Sequence, residues 1–202
     1  MALQNSFKNL TLCLGTITLV CGALLAGVYV LTEKPIEAAA AAKTQNAIAA
    51  VSVPFESLGE AVTVDGDTYY IALGAQGDTL GYVVNASSDG FGGKLSLMVG
   101  FRADGSIYDT AVLSHSETPG LGAKCTDPAF AGQFKGFDPA VKNLNVKKDG
   151  GDVDAITAST ITSRAYCAAL RRAVEIFAGI APVKAVAVET VENITVEETA
   201  NE

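Results

Sequence analysis

Apolar positions are crowded at the start of the chain and give way to alternating patterns further on. Residues 10–31, LTLCLGTITLVCGALLAGVYVL, run for twenty-two positions without a charge. As a helix this stretch is about 33 Å long, enough to cross a hydrocarbon core of about 30 Å. The apolar region of a cleaved signal peptide is shorter, about 7–15 residues. The run therefore reads as an uncleaved membrane anchor, although the alanines at 38–42 imitate a cleavage site. Residues 32–50 are rich in Ala, Glu, Lys and Gln, helix formers that extend the anchor as a stalk.

Past residue 50 the pattern becomes strand-like at 68–73, 80–84, 95–101 and 107–113. The last two runs are joined by RADG, an Asp-Gly turn between β-rich segments, which predicts a hairpin. At 164–177 the period lengthens: Tyr166, Leu170, Val174 and Phe177 recur at helical spacing, leaving Arg171 and Arg172 towards water. After Lys184 come five glutamates and no basic residue, the composition of a disordered tail. The fold class expected is α+β, with a single N-terminal transmembrane helix, then an antiparallel sheet with packed helices. The expected segments are a short N-terminus (1–9), span (10–31), stalk (32–50), folded domain (51–183) and acidic tail (184–202).

Charge and cysteine usage narrow the function classes. The net charge of −8 argues against a nucleic-acid partner, since no basic stripe exists to neutralise phosphates. Lys8 and the amino terminus precede the span, whereas Glu33, Lys34 and Glu37 follow it. The positive-inside tendency then places the N-terminus in the cytoplasm and the bulk of the chain outside it. Cys13 and Cys21 fall in the span; Cys125 and Cys167 fall in the outer domain, where a disulfide, free thiols or contact with a partner are all open. With no C-x-x-C pair and His115 as the single histidine, no metal site is expected.

Two segments concentrate chemistry. Residues 154–165, DAITASTITSRA, place five hydroxyls (Thr157, Ser159, Thr160, Thr162 and Ser163) just before the predicted helix. Thr162 or Ser163 suits an N-cap, and Thr-Ile-Thr also fits a short strand. The same helix start, with Arg164 beside it, equally suits a phosphate group. Residues 115–124, HSETPGLGAK, contain a Pro119-Gly120 pair typical of a type II turn. Gly122 lets a flat group approach the backbone, and Glu117 and Thr118 offer hydrogen bonds to a heterocycle. A plain tight loop explains the same residues.

Taken together, these motifs resemble a known family. DAITAST is similar to the flavin-attachment motif D-x-x-[S/T]-G-A-T of FMN-binding domain proteins in the Rnf and Na⁺-translocating NADH:quinone oxidoreductase families. HSETPGLGAK resembles their E-T-x-G-L-G loop, and GFGGKLSLMVGF their glycine-rich strand entry, all behind one membrane span. The compact length is more similar to the G-type subunit of Rnf than to the C-type subunit of the quinone reductase. The resemblance implies an extracytoplasmic FMN-binding domain on a bacterial inner membrane. It implies FMN joined through its phosphate to Thr160 by a flavin transferase that uses FAD and Mg²⁺. Asp154 is the recognition position of the motif, and Ala158 and Ser159 stand where the family usually has Gly and Ala. Glu117, Thr118, Leu121, Gly122, Thr157, Ser159, Ile161 and Thr162 are the implied cofactor-binding residues.

The implied partners are the other membrane subunits of the Rnf complex, and the implied function is electron transfer between ferredoxin and NAD⁺ coupled to Na⁺ or H⁺ movement. A reading from another class is an anchored binding module without redox chemistry. An anchored hydrolase built on Ser159 lacks the G-x-S-x-G elbow.

Overall fold

The computed structural model describes residues 7–64 and 66–197. Most of the expected cytoplasmic N-terminus, residues 1–6, and the last part of the expected tail, residues 198–202, lie outside the described residues. The chain divides into two compact units, Met1–Thr44 and Gln45–Glu202.

The first unit consists of most of α1 (Phe7–Val51), a helix of 45 residues that is long and apolar enough to cross a membrane. The threonines within its apolar stretch bond one turn back along the helix. Thr11 Oγ1 donates to Phe7 O at 2.9 Å and Thr18 Oγ1 to Leu14 O at 2.9 Å. Such back-bonding satisfies hydroxyls that an apolar environment would otherwise leave without partners. The expected stalk is part of the same helix, which contains Pro35.

The second unit is built on a six-stranded antiparallel sheet: β1 (Ser57–Leu58), β2 (Val62–Val64), β3 (Asp67–Leu73), β4 (Thr79–Asp89), β5 (Lys94–Arg102) and β6 (Ile107–Ser114). The order is β1-β3-β4-β5-β6, with β2 also paired to β3. A short helix, α2 (Pro128–Ala131), and the long α3 (Thr160–Glu197) follow. Alternation along β5 sends Leu95, Leu97, Val99 and Phe101 to one face, each at most 1% exposed. There they join Phe130, Phe134 and Phe137, together with Tyr166 and Leu170 of α3, in the main core. On the opposite face Val83 and Met98 pack with Ile48 and Val51 from the end of α1. Gly100 makes that contact possible, because a Cβ there would overlap the Val51 carbonyl oxygen. Both faces of β5 are thus buried, which explains its nearly unbroken apolar sequence.

The four predicted strands all form, with differences at their ends. β4 continues through Asn85, Ser87 and Ser88 to Asp89, because polar side chains along it have partners. Ser96 Oγ donates to Asn85 Oδ1 at 2.9 Å, and Ser88 Oγ donates to the Ala165 carbonyl of α3 at 2.6 Å. α3 begins four residues before the predicted start and continues to Glu197, through most of the segment whose composition predicts disorder. Cys125 and Cys167 are free and buried in the core. Burial pushes each thiol up to about 11.

Candidate functional site

Three segments distant in sequence converge at one end of the sheet. They are the glycine-rich turn 90–93 between β4 and β5, the loop 115–124 after β6, and the entry to α3. Glu117, only 6% exposed, joins all three. Its Oε1 accepts from the Phe91 N–H at 2.8 Å and, more weakly, from the Gly92 N–H at 3.4 Å. Its Oε2 accepts from the Thr162 hydroxyl at 2.8 Å. Among the described residues no cation pairs with this carboxylate.

The glycines around it are explained by close approach. A Cβ on Gly92 would overlap the Ser116 carbonyl oxygen, and one on Gly122 would overlap Glu117 Oε2 and lie 2.7 Å from Thr162 Oγ1. Gly122 therefore makes room for the Glu117–Thr162 hydrogen bond as well as bordering the cavity described below. The predicted type II turn is present: Gly120 has φ +75° and Leu121 N–H donates to Thr118 O at 3.2 Å.

The hydroxyl cluster divides its work differently from the expected capping. α3 starts at Thr160, so neither Thr162 nor Ser163 is the N-cap, and Thr-Ile-Thr is helical rather than a strand. Ser163 is buried within the first turn, where its Oγ accepts from the Ile156 N–H at 2.9 Å and donates to Ser159 O at 3.0 Å. Thr162 is committed to Glu117. Before the helix, Ala158 adopts φ +61°, the left-handed conformation that favours glycine. The backbone amides of Thr160, Ile161 and Thr162 have no protein acceptor among the described residues, and neither has the half-buried Thr160 hydroxyl any hydrogen bond. Free amides at the positive end of a helix dipole form a site for an anion.

These groups border a cavity of about 380 Å³. Of the residues expected at the site, Glu117, Thr118, Leu121, Gly122, Ser159, Thr160, Ile161 and Thr162 line it. Thr157 is exposed in the turn before the helix and does not line it. Asp154 also lies outside it. Its carboxylate meets Lys147 Nζ at 2.8 Å, and Gln133 clamps its backbone, accepting from Asp154 N–H at 2.8 Å and donating to Asp154 O at 3.2 Å. Arg164, expected beside a phosphate, instead holds Asp149 through two bonds of 2.7 Å. Hydrogen bonding from Arg164 keeps the Asp149 carboxyl below the ordinary carboxylate range.

Ala158 and Phe91 also border the cavity and were absent from the expected set. Phe91 is 68% exposed, and the signal for it in the sequence was an aromatic isolated among the glycines of GFGG. With Leu121 and Ile161 it gives the mouth an exposed apolar rim.

Comparison with known proteins places this arrangement. Residues 90–175 match the FMN-binding domain family, and residues 1–51 match the RnfG N-terminal region. A relative in Clostridium ljungdahlii, the G-type subunit of a proton-translocating ferredoxin:NAD(+) oxidoreductase complex, is 36% identical over 175 residues, spanning 85% of this chain and 92% of its own length. The chain belongs to the RnfG family. Another member, the G-type subunit of an ion-translocating oxidoreductase complex from Methanosarcina acetivorans, is 38% identical over 79% of this chain and 88% of its own. Among solved structures, NqrC of Shewanella oneidensis is 26% identical over 56% of each chain, with a TM-score of 0.42.

The RnfG-family cavity suits FMN on its own chemistry. Its volume falls in the usual range for small-molecule sites, about 300–1,000 Å³. The apolar rim suits a flat ring system, and the free amides of α3 suit a phosphate.

Proposed function

We propose that this chain is the FMN-carrying electron-transfer subunit of an Rnf-type membrane complex. That complex moves electrons between ferredoxin and NAD⁺ and couples the flow to Na⁺ or H⁺ translocation. The observation that carries the proposal is Thr160. It is the first residue of α3, it borders the cavity, and its hydroxyl is uncommitted beside three free amides. FMN is held there covalently, as a phosphoester of Thr160 Oγ1. A separate flavin transferase makes the link from FAD. The bond between Thr160 Oγ1 and the FMN phosphorus forms, the phosphoanhydride of FAD breaks, AMP leaves and the hydroxyl proton passes to base.

Bound flavin supplies reversible uptake of electrons, singly or in pairs, and the protein sets its position and surroundings. The amides of Thr160, Ile161 and Thr162 would receive the phosphate, and the apolar side chains of Phe91, Leu121 and Ile161 would offer a surface to the ring. Glu117, Thr118, Gly122 and Ser159 shape the wall. Thr157 and Asp154 act outside the cavity, on the surface met by the transferase. The segment 10–31 anchors the chain in the cytoplasmic membrane, with its N-terminus inside and the FMN domain outside. The match of residues 1–51 to the RnfG N-terminal region favours an Rnf assembly over the quinone reductase that contains NqrC.

The test is a denaturing gel of protein made with an active transferase, viewed under ultraviolet light. Wild type fluoresces, Thr160→Ala is dark, and Thr157→Ala retains fluorescence. A dark wild-type band refutes covalent attachment.

A further inference from the structure

Among the described residues, Glu117 is the only charged side chain lining the cavity. It is buried, and each of its three hydrogen-bond donors is neutral: two backbone amides and the Thr162 hydroxyl. Its charge is therefore solvated by dipoles but cancelled by no cation. Burial also limits screening by water, so the charge acts over longer range than a surface carboxylate would.

We propose that Glu117 sets the reduction potential of the flavin held at Thr160, keeping it low through its unpaired negative charge. The inference rests on the FMN assignment above. Reduction of the flavin takes two electrons from a donor carrier and up to two protons from water. Each arriving electron brings negative charge into a cavity whose wall is already negative, which disfavours the reduced form. Charge near the ring is one of the means by which a protein tunes a flavin. Glu117 also shapes the site, because it ties the 90–93 turn to α3, so the test must separate charge from shape.

Glu117→Gln does so. A glutamine can keep its oxygen on the Phe91 and Gly92 amides and donate its NH₂ to Thr162 Oγ1, retaining all three contacts while losing the charge. Glu117→Asp is the converse, keeping the charge and giving up the contacts. Spectroelectrochemical titration of the full-length flavinylated chain in detergent reads the outcome, after gel fluorescence confirms that each protein carries FMN. Absent fluorescence in wild type refutes the covalent FMN at Thr160 on which the inference rests, whereas a fluorescent wild type leaves the titration to judge Glu117.

Glu117→Gln is expected to favour reduction at least tenfold, an upward shift of about 30 mV for a two-electron couple. Glu117→Asp is expected to stay within threefold of wild type. An unchanged potential in Glu117→Gln, or equal shifts in both variants, overturns the proposal. Should Glu117→Gln fail to load, Thr162→Val provides the second arm. It removes one dipole from Oε2, exposing the flavin to more of the charge, and must lower the potential; an unchanged or raised value overturns the proposal.

Discussion

Ala158→Gly is expected to stabilise the domain, an unusual direction for a substitution at a functional motif. Ala158 has φ +61°, and an L-residue in this region pays roughly 1–2 kcal/mol relative to the right-handed one. Glycine removes that strain but adds backbone freedom to the unfolded chain, worth about 0.4–1 kcal/mol against folding. The Ala158 side chain is exposed, so little packing is lost, and the net gain is about 0.5–1 kcal/mol. For a domain of this size about 1 kcal/mol corresponds to roughly 2–4 °C in Tm. The assay is thermal unfolding of the full-length apo chain in detergent, followed by circular dichroism. Ala158→Val gives the opposite control, because a β-branched residue is poorly tolerated at positive φ, and its Tm must fall. A Tm for Ala158→Gly equal to or below that of wild type would show that residue 158 is not left-handed in the folded protein.

Gly122→Ala drives a methyl group between Glu117 and Thr162 and should cost about 1–3 kcal/mol by overpacking, read as a lower midpoint in urea together with reduced flavin loading. Gln133→Ala removes both hydrogen bonds to the Asp154 backbone and should cost roughly 1–3 kcal/mol, with slower flavinylation of the loosened segment in a timed transferase assay. Cys125 and Cys167 should resist alkylation in the native chain at neutral pH and react in denaturant, as read by peptide mass. Their folded thiols ionise only at about 11, against about 8.5 in an unfolded chain. The stability they contribute is therefore fully present below about pH 8.5 and lost as pH rises towards the folded value. Urea midpoints across that window should fall, and a Cys125→Ala/Cys167→Ala double variant should fall less.

Much of the fold is legible in the sequence because its strands alternate and its membrane segment is uniformly apolar. The cores of β3 to β6 and the helical period through Tyr166, Leu170 and Val174 follow directly from side-chain spacing. What escapes is set by contacts far apart in the chain. Nothing local shows that Asn85–Asp89 continues a strand; the cause is Ser88 reaching Ala165, 77 residues away. β1 and β2 are two and three residues long, too short for a period to register.

The site shows the same division. The segments 115–124 and 154–163 stand out by their glycines and hydroxyls, and eight residues selected from them border one cavity. Their individual tasks are less visible. Glu117 looked open to a ligand, yet both its oxygens are occupied by residues 91, 92 and 162. Arg164 is not open to a phosphate, because Asp149, fifteen residues earlier, is folded against it. The glycine usual at position 158 has a physical reason in the positive φ there, one that a motif states only as a preference.

The most direct test of covalent flavin at Thr160 is fragmentation mass spectrometry of the peptide spanning residues 154–163, from protein made with an active flavin transferase. The expected result is a mass increase of one FMN less one water, with the fragment series locating it on Thr160 and absent from Thr160→Ala. An unmodified peptide, or FMN located on Thr157 or Ser159, would contradict the assignment.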